Sequence, residues 1–353
     1  MSAISIASPN KTDDGTEMFQ GDRPDARRIG QIENRDTLEA KLNSLKEGDV
    51  IAVRVRRFTA GENSEEPRYE TFRVPYQKWM RVLDVLIYIS EELESDLSYR
   101  WYCGSKMCGT CAMRVNGREI LACWAAAEPE MTIEPLRNLP VIRDLTVDRQ
   151  PYEKRLLNLK PWIERGAPYP GFPEPITHGE MRFASKALDC ISCAACYSAC
   201  PVVGLGDLTN FAGPAPLVQI AQNALDPRDT SDRSIALLEQ ASVFSCVSCY
   251  RCEEVCPASI PIVSRVIEPL KAIVYRKSGR KPRHPDVFLN VIRRRGRIDP
   301  SELVLRIHGI RVLAQLRRAV LLLAAGKINP LRTLFGRPIP GIRHIRRLFQ
   351  LFS

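Results

Sequence analysis

Residues Cys190–Pro201 read CISCAACYSACP, and residues Cys246–Pro257 read CVSCYRCEEVCP. Both runs are C-x2-C-x2-C-x3-C-P. That is the spacing of two-cluster ferredoxins, in which three cysteines of a run hold one cubane and the fourth reaches across to the other. The duplication predicts one [4Fe-4S] cluster on Cys190, Cys193, Cys196 and Cys256, and a second on Cys200, Cys246, Cys249 and Cys252. Around these runs, Pro216–Leu225 and Ser234–Ser242 read as short helices between turns bearing Pro and Gly. Residues 151–275 are therefore expected to form a mostly helical domain carrying two clusters.

The other four of the twelve cysteines form a third group, so none is left over. Cys103, Cys108 and Cys111 are spaced x4 then x2, and Cys123 follows after eleven residues, the spacing of a plant-type [2Fe-2S] cluster. Three thiolates on one tight loop converge only if the backbone turns sharply and aims its amides at the sulfur atoms; Gly104 and Gly109 supply that freedom. Cys123 ends a strand returning from Asn116-Gly117, the dipeptide of a type I′ hairpin turn, and so comes back beside the loop. Zinc also binds paired C-x2-C motifs, and a redox dithiol uses one isolated C-x-x-C. Neither explains a duplicated run ending in proline beside a plant-type loop.

Upstream of the loop, Val50–Val55 and Tyr69–Val74 alternate apolar and polar residues, predicting a hairpin. Val82, Leu83, Leu86, Ile89 and Leu93 recur at helical spacing. Strand, strand, helix, loop and hairpin make residues 49–150 an α+β domain, preceded by a polar arm over residues 1–48. The 353-residue chain is long enough for several cores, and 44% apolar with 26% charged residues excludes global disorder and a membrane-embedded body. No charged-then-apolar leader opens Met1–Gln20, so the thiols are expected to be reduced.

Charge is concentrated at the C-terminal end. From Arg276 to Ser353 there are nineteen Lys or Arg against three acids, +16, which leaves −6 for the first 275 residues of a +10 chain. Within this basic extension, residues 301–325 place Leu305, Val312, Leu316, Ala319 and Leu323 on one helical face and Arg306, Arg311, Arg317 and Arg318 on the other. Its longest apolar run, Ala319–Ala325, is too short to span a bilayer. The pattern suits an anionic membrane surface or a partner subunit, and a redox relay gives nucleic acid no role. There is no G-x-G-x-x-G after a strand, no Walker loop, no G-x-S-x-G and no acid/base pair in a recognisable motif. No catalytic residue is assigned; His178, His284, His308 and His344 lie outside the cysteine runs and receive no role.

From about Val50 to Pro269 the chain resembles the iron-sulfur subunit of succinate dehydrogenases and fumarate reductases. The resemblance rests on residues 82–87 (VLDVLI), 108–113 (CGTCAM), Asn116-Gly117, Leu121-Ala122-Cys123, residues 141–145 (VIRDL), Lys160-Pro161-Trp162, Gly206-Asp207 and Phe211-Ala212-Gly213-Pro214. It implies a β-grasp [2Fe-2S] ferredoxin domain joined to an all-α two-cluster domain. It further implies a place in a peripheral complex on the cytoplasmic side of the membrane, relaying electrons between a flavoprotein, which carries the FAD and handles succinate or fumarate, and membrane quinone. The flavoprotein is expected to dock mainly on the first domain.

Three departures stand out. That family usually has a non-cysteine residue where Cys249 stands and holds a [3Fe-4S] cluster, whereas a fourth thiolate here predicts a second [4Fe-4S] cluster. Val202, Val203 and Val247 stand where residues of the family's quinone pocket are expected, and Ala258 replaces a basic residue. The basic extension, with Gly326-Lys327-Ile328 and Pro340-Gly341-Ile342, is similar to the C subunit of heterodisulfide reductases. It points to a cysteine-rich acceptor, or alternatively to a relay serving a thiol/disulfide partner.

Overall fold

The computed structural model describes residues 45–59, 68–93, 95–208, 210–277, 283–298, 302–303, 306 and 338–351. Most of the expected N-terminal arm and nearly all of the expected helix over 301–325 lie outside the described residues, as does Gly326-Lys327-Ile328.

Strand β1 (Val50–Arg57) buries Ile51, Val53 and Val55 and turns Ala52 and Arg54 outward, the period of a strand with one covered face. It pairs antiparallel with β2 (Arg68–Pro75), from Val50 opposite Pro75 to Arg57 opposite Arg68. Helix α1 (Val82–Glu91) buries Val82, Leu83, Val85, Leu86 and Ile89, and the Asp84 carboxylate accepts from the Arg81 amide at 2.7 Å to close its first turn. The helix stops at Glu91, so Leu93 falls beyond it and is 40% exposed rather than completing the apolar stripe.

The second hairpin joins β3 (Ala112–Val115) to β4 (Arg118–Leu121), with Asn116 and Gly117 at φ 49° and 79°, as a type I′ turn requires. Strand β5 (Glu130–Glu134) was not expected from sequence, yet it is central. It pairs parallel with β1 and antiparallel with β3, giving the order β2-β1-β5-β3-β4. A two-stranded ribbon, β6 (Val141–Arg143) with β7 (Thr146–Val147), follows. The Asp144 carboxylate between them is buried and accepts from Arg57 Nε at 3.1 Å, the Phe58 amide at 3.0 Å and the Ser98 amide at 2.9 Å.

The second core is built from short helices: α2 (Gln150–Asn158), α3 (His178–Met181), α4 (Ser185–Leu188), α5 (Ala195–Ser198), α6 (Pro214–Ala224) and α7 (Arg251–Glu254). Leu217, Ile220, Leu237, Ile260, Val266 and Leu270 are fully buried between them. A wide π turn at Ile262–Ile267 runs into α8 (Glu268–Lys277). In the basic extension, α9 (Arg283–Arg295) packs against α10 (Ile342–Leu351), with Arg346 Nε donating to the Arg293 carbonyl at 3.3 Å.

The two cores are joined by hydrogen bonds and packing across their boundary. Ser198 donates to Glu119 of β4 at 2.8 Å and accepts from the Arg137 amide at 2.8 Å. Asn138, at φ 63°, donates to the carbonyls of Tyr197, Ser198 and Cys200, closing the carboxyl end of α5.

Candidate functional site

The first cysteine group sits on the loop before β3. Gly104, Lys106 and Gly109 all take positive φ, curling the backbone so that its amides face sulfur. Cys103 Sγ accepts from the amides of Ser105, Met107 and Cys108 at 3.3–3.4 Å, Cys123 Sγ from Lys106 at 3.4 Å, and Cys108 Sγ from Thr110 at 3.5 Å. The three amides pull the Cys103 thiol, which is half-buried, down to about 6, favouring the thiolate. Cys111 faces inward, and burial pushes it up to about 12. Around this loop the surface carries Trp79, Trp101, Tyr102, Met107 and Trp124, all exposed, with Lys106 and Arg81 over the Trp124 ring.

The two later runs fold into near-copies. Ser192 and Ala194 take φ 54° and 62°, while Ser248 and Tyr250 take 51° and 62°. Each run thus turns twice through the left-handed region before entering a four-residue helix that carries its third cysteine, α5 with Cys196 and α7 with Cys252. These helices pack together. Cys190, Cys193, Cys196 and Cys256 line one hollow; Cys200, Cys246, Cys249 and Cys252 line another. The fourth cysteine of each run therefore lines the hollow of the other.

The donors suit an iron-sulfur group. Burial pushes Cys193 up to about 11, raises Cys196 and Cys252 well above the usual thiol range, and raises Cys190, Cys200 and Cys246 as well. Holding several buried thiolates around one hollow demands compensating cationic charge, which iron supplies. Among the described residues no three His, Cys, Asp or Glu side chains meet at a single-ion centre; the quartets ring hollows instead.

Val202 and Val247 line the second cavity, where Val247 is 66% exposed, and Ala258 lines the first. Val203 is buried. Two contacts were not expected from sequence. Gly109 lies against the first run: a Cβ there would stand 2.7 Å from the Ile191 carbonyl and 2.8 Å from Cys193 Cβ. Gln219, on α6, donates to Cys190 Sγ at 3.3 Å and to Ser192 Oγ at 2.8 Å. The signal for Gln219 was present, since it is the polar residue interrupting the apolar run of α6.

The geometry defines a two-domain iron-sulfur protein, with a plant-type cysteine loop on a mixed sheet followed by a pair of crossed cysteine quartets among short helices. The family model for a 2Fe-2S iron-sulfur cluster binding domain matches residues 52–154, and that for a 4Fe-4S dicluster domain matches residues 186–260. A fumarate reductase iron-sulfur subunit from Haemophilus influenzae is 35% identical over 62% of this chain and 90% of its own length. The chain belongs to the family of fumarate reductase and succinate dehydrogenase iron-sulfur subunits. A fumarate reductase (CoM/CoB) subunit from Methanothermobacter marburgensis is 34% identical over 65% of this chain and 45% of its own. The chain spans about half the length of the first curated relatives it matches. Among solved structures, the Mycobacterium smegmatis Sdh1 complex in the apo form contains a chain that matches with a TM-score of 0.60 at 27% identity, over 65% of this chain and 97% of that one.

Proposed function

We infer that this chain is the electron-transfer subunit of a succinate dehydrogenase or fumarate reductase complex, relaying electrons between a FAD-bearing flavoprotein and membrane quinone through a cysteine-rich or membrane-associated partner. The observation that carries this reading is the continuity of the three cysteine groups. The first loop touches the second domain at Gly109 and Cys193, and α5 then links the two quartets, contributing Cys196 to one and leading directly to Cys200 of the other.

In this reading the first domain is a β-grasp ferredoxin holding one [2Fe-2S] cluster on Cys103, Cys108, Cys111 and Cys123. Cys190, Cys193, Cys196 and Cys256 hold a [4Fe-4S] cluster, and Cys200, Cys246, Cys249 and Cys252 hold a second. When bound, such clusters supply one-electron redox centres whose potentials follow cluster type, charge and hydrogen bonding. The chain's own residues position the sulfur atoms, donate amide hydrogen bonds to them and hold the two domains in contact. The exposed aromatic rim of Trp79, Trp101, Tyr102 and Trp124 suits the flavoprotein. No helix among the described residues is long and apolar enough to cross a membrane. The arginines of α9 and α10 suit a peripheral position on the cytoplasmic side, against anionic lipid.

A second reading has the same relay serving a heterodisulfide-reductase-like thiol/disulfide partner. It is favoured by the complete second run with Cys249, and by a relative whose name couples fumarate reductase to CoM/CoB. Anaerobic purification of the intact complex, followed by adding succinate under spectroscopic observation, separates the two. Bleaching of the iron-sulfur absorbance with a co-purifying flavoprotein supports the first reading. Reduction only by a dithiol, with no response to succinate or fumarate, overturns it in favour of the second.

A further inference from the structure

Helix α6 buries Pro214, Ala215, Pro216, Leu217, Val218, Ile220 and Ala221, and in this apolar run Gln219 is the polar exception. A half-buried amide inside a core costs free energy unless its hydrogen bonds are made. Here both amide hydrogens are used: Gln219 Nε2 lies 3.3 Å from Cys190 Sγ and 2.8 Å from Ser192 Oγ. The second contact fixes the first, because Ser192 stands in the left-handed bend between Cys190 and Cys193, and its carbonyl is itself held by Arg149 Nη2 at 2.7 Å. Cys190 also accepts from the Ser192 amide, and Cys103, Cys108, Cys123, Cys246 and Cys256 likewise accept from backbone amides, which no substitution removes directly, so the Gln219 contact is one that a substitution can remove. The second quartet's cavity is lined by Tyr250 as well as by apolar side chains such as Val202, Phe211, Val247 and Val263.

We propose that Gln219 sets the reduction potential of the centre held by the first quartet, by donating a side-chain hydrogen bond to the Cys190 sulfur. This rests on the reading of Cys190 as a cluster ligand. A donor aimed at a ligand sulfur stabilises the more negative, reduced state more than the oxidised one, so its removal lowers the potential. The reaction concerned is one-electron uptake without bond making, and the reductant in the test is dithionite.

The test is an anaerobic potentiometric titration of the full chain, purified with its accompanying subunits and followed by electron paramagnetic resonance, with iron content measured in parallel. Q219L keeps the bulk and removes the donor; Q219E keeps the shape and presents an acceptor. Both should lower the first cubane's midpoint, Q219E further. For Q219L the reduction constant should fall by up to about tenfold, about 59 mV for one electron. The other two midpoints should not move. A Q219L midpoint equal to that of the unaltered protein overturns the proposal, as do equal displacement of all three midpoints and loss of the cluster in both variants. Absence of any cubane signal in the unaltered protein instead overturns the ligand reading beneath it.

Discussion

Gly104 and Gly109 lie on the same loop at nearly the same backbone angle, φ 65° and 69°, and differ in what surrounds them. An alanine at either position meets the left-handed penalty of roughly 1–2 kcal/mol. At position 104 nothing lies within 4 Å of the added methyl, so the penalty ends there. At position 109 the methyl would stand 2.7 Å from the Ile191 carbonyl oxygen, 2.8 Å from Cys193 Cβ and 3.0 Å from Cys193 Cα. These atoms belong to a backbone curled around cysteines, so relief requires the two loops to part. Forced overpacking of this kind adds roughly 1–3 kcal/mol. At about 2–4 °C per kcal/mol for a unit of this size, G109A should unfold roughly 2–12 °C below G104A. The assay is the apparent unfolding midpoint by circular dichroism, with both variants purified anaerobically and heated at one scan rate. Coincident midpoints would mean that the loop and the first cysteine run do not pack as described.

Further outcomes follow from other parts of the molecule. C249S should convert the second centre to a [3Fe-4S] cluster, seen as a new resonance in the oxidised protein and a loss of about one iron per chain; an unchanged spectrum would remove Cys249 from the ligand set. R57A removes the buried cation from Asp144 and leaves its carboxylate the half-exposed Arg143 at 3.8 Å and two amides, and should destabilise the first domain by about 1.5–3 kcal/mol in denaturant unfolding; a cost below about 0.5 kcal/mol would contradict the account. Burial disfavours ionised Asp229, yet Arg233, the Glu164 amide and Ser231 outweigh it and hold its carboxyl below the usual range. Its folded form therefore binds fewer protons than its unfolded form, so its contribution is complete above about pH 4 and lost as pH falls through the depressed value. D229N should be less stable at neutral pH and lose less on acidification; parallel acid limbs for the two proteins would contradict this.

What the sequence disclosed best is what covalent spacing dictates. The three cysteine groups, the crossing of Cys200 and Cys256, the Asn116-Gly117 turn and helix α1 depend on local chemistry or simple periodicity. Strand β5 does carry the strand signal, since Glu130–Glu134 alternates polar and apolar between Pro129 and Pro135 with Met131 and Ile133 buried; what five residues do not disclose is their partners, β1 and β3, which place them at the centre of the sheet. The wide turn at Ile262–Ile267 and the left-handed Asn138 owe their form to the cavities and helix end they complete, which no window of sequence displays. Gln219 was visible as an interruption in an apolar run, but its target lies twenty-nine positions away on another segment.

The decisive measurement is the amount of iron and acid-labile sulfide in protein purified without oxygen. One [2Fe-2S] and two [4Fe-4S] clusters require about ten of each per chain. Zinc with no labile sulfide would contradict the reading of all twelve cysteines as cluster ligands.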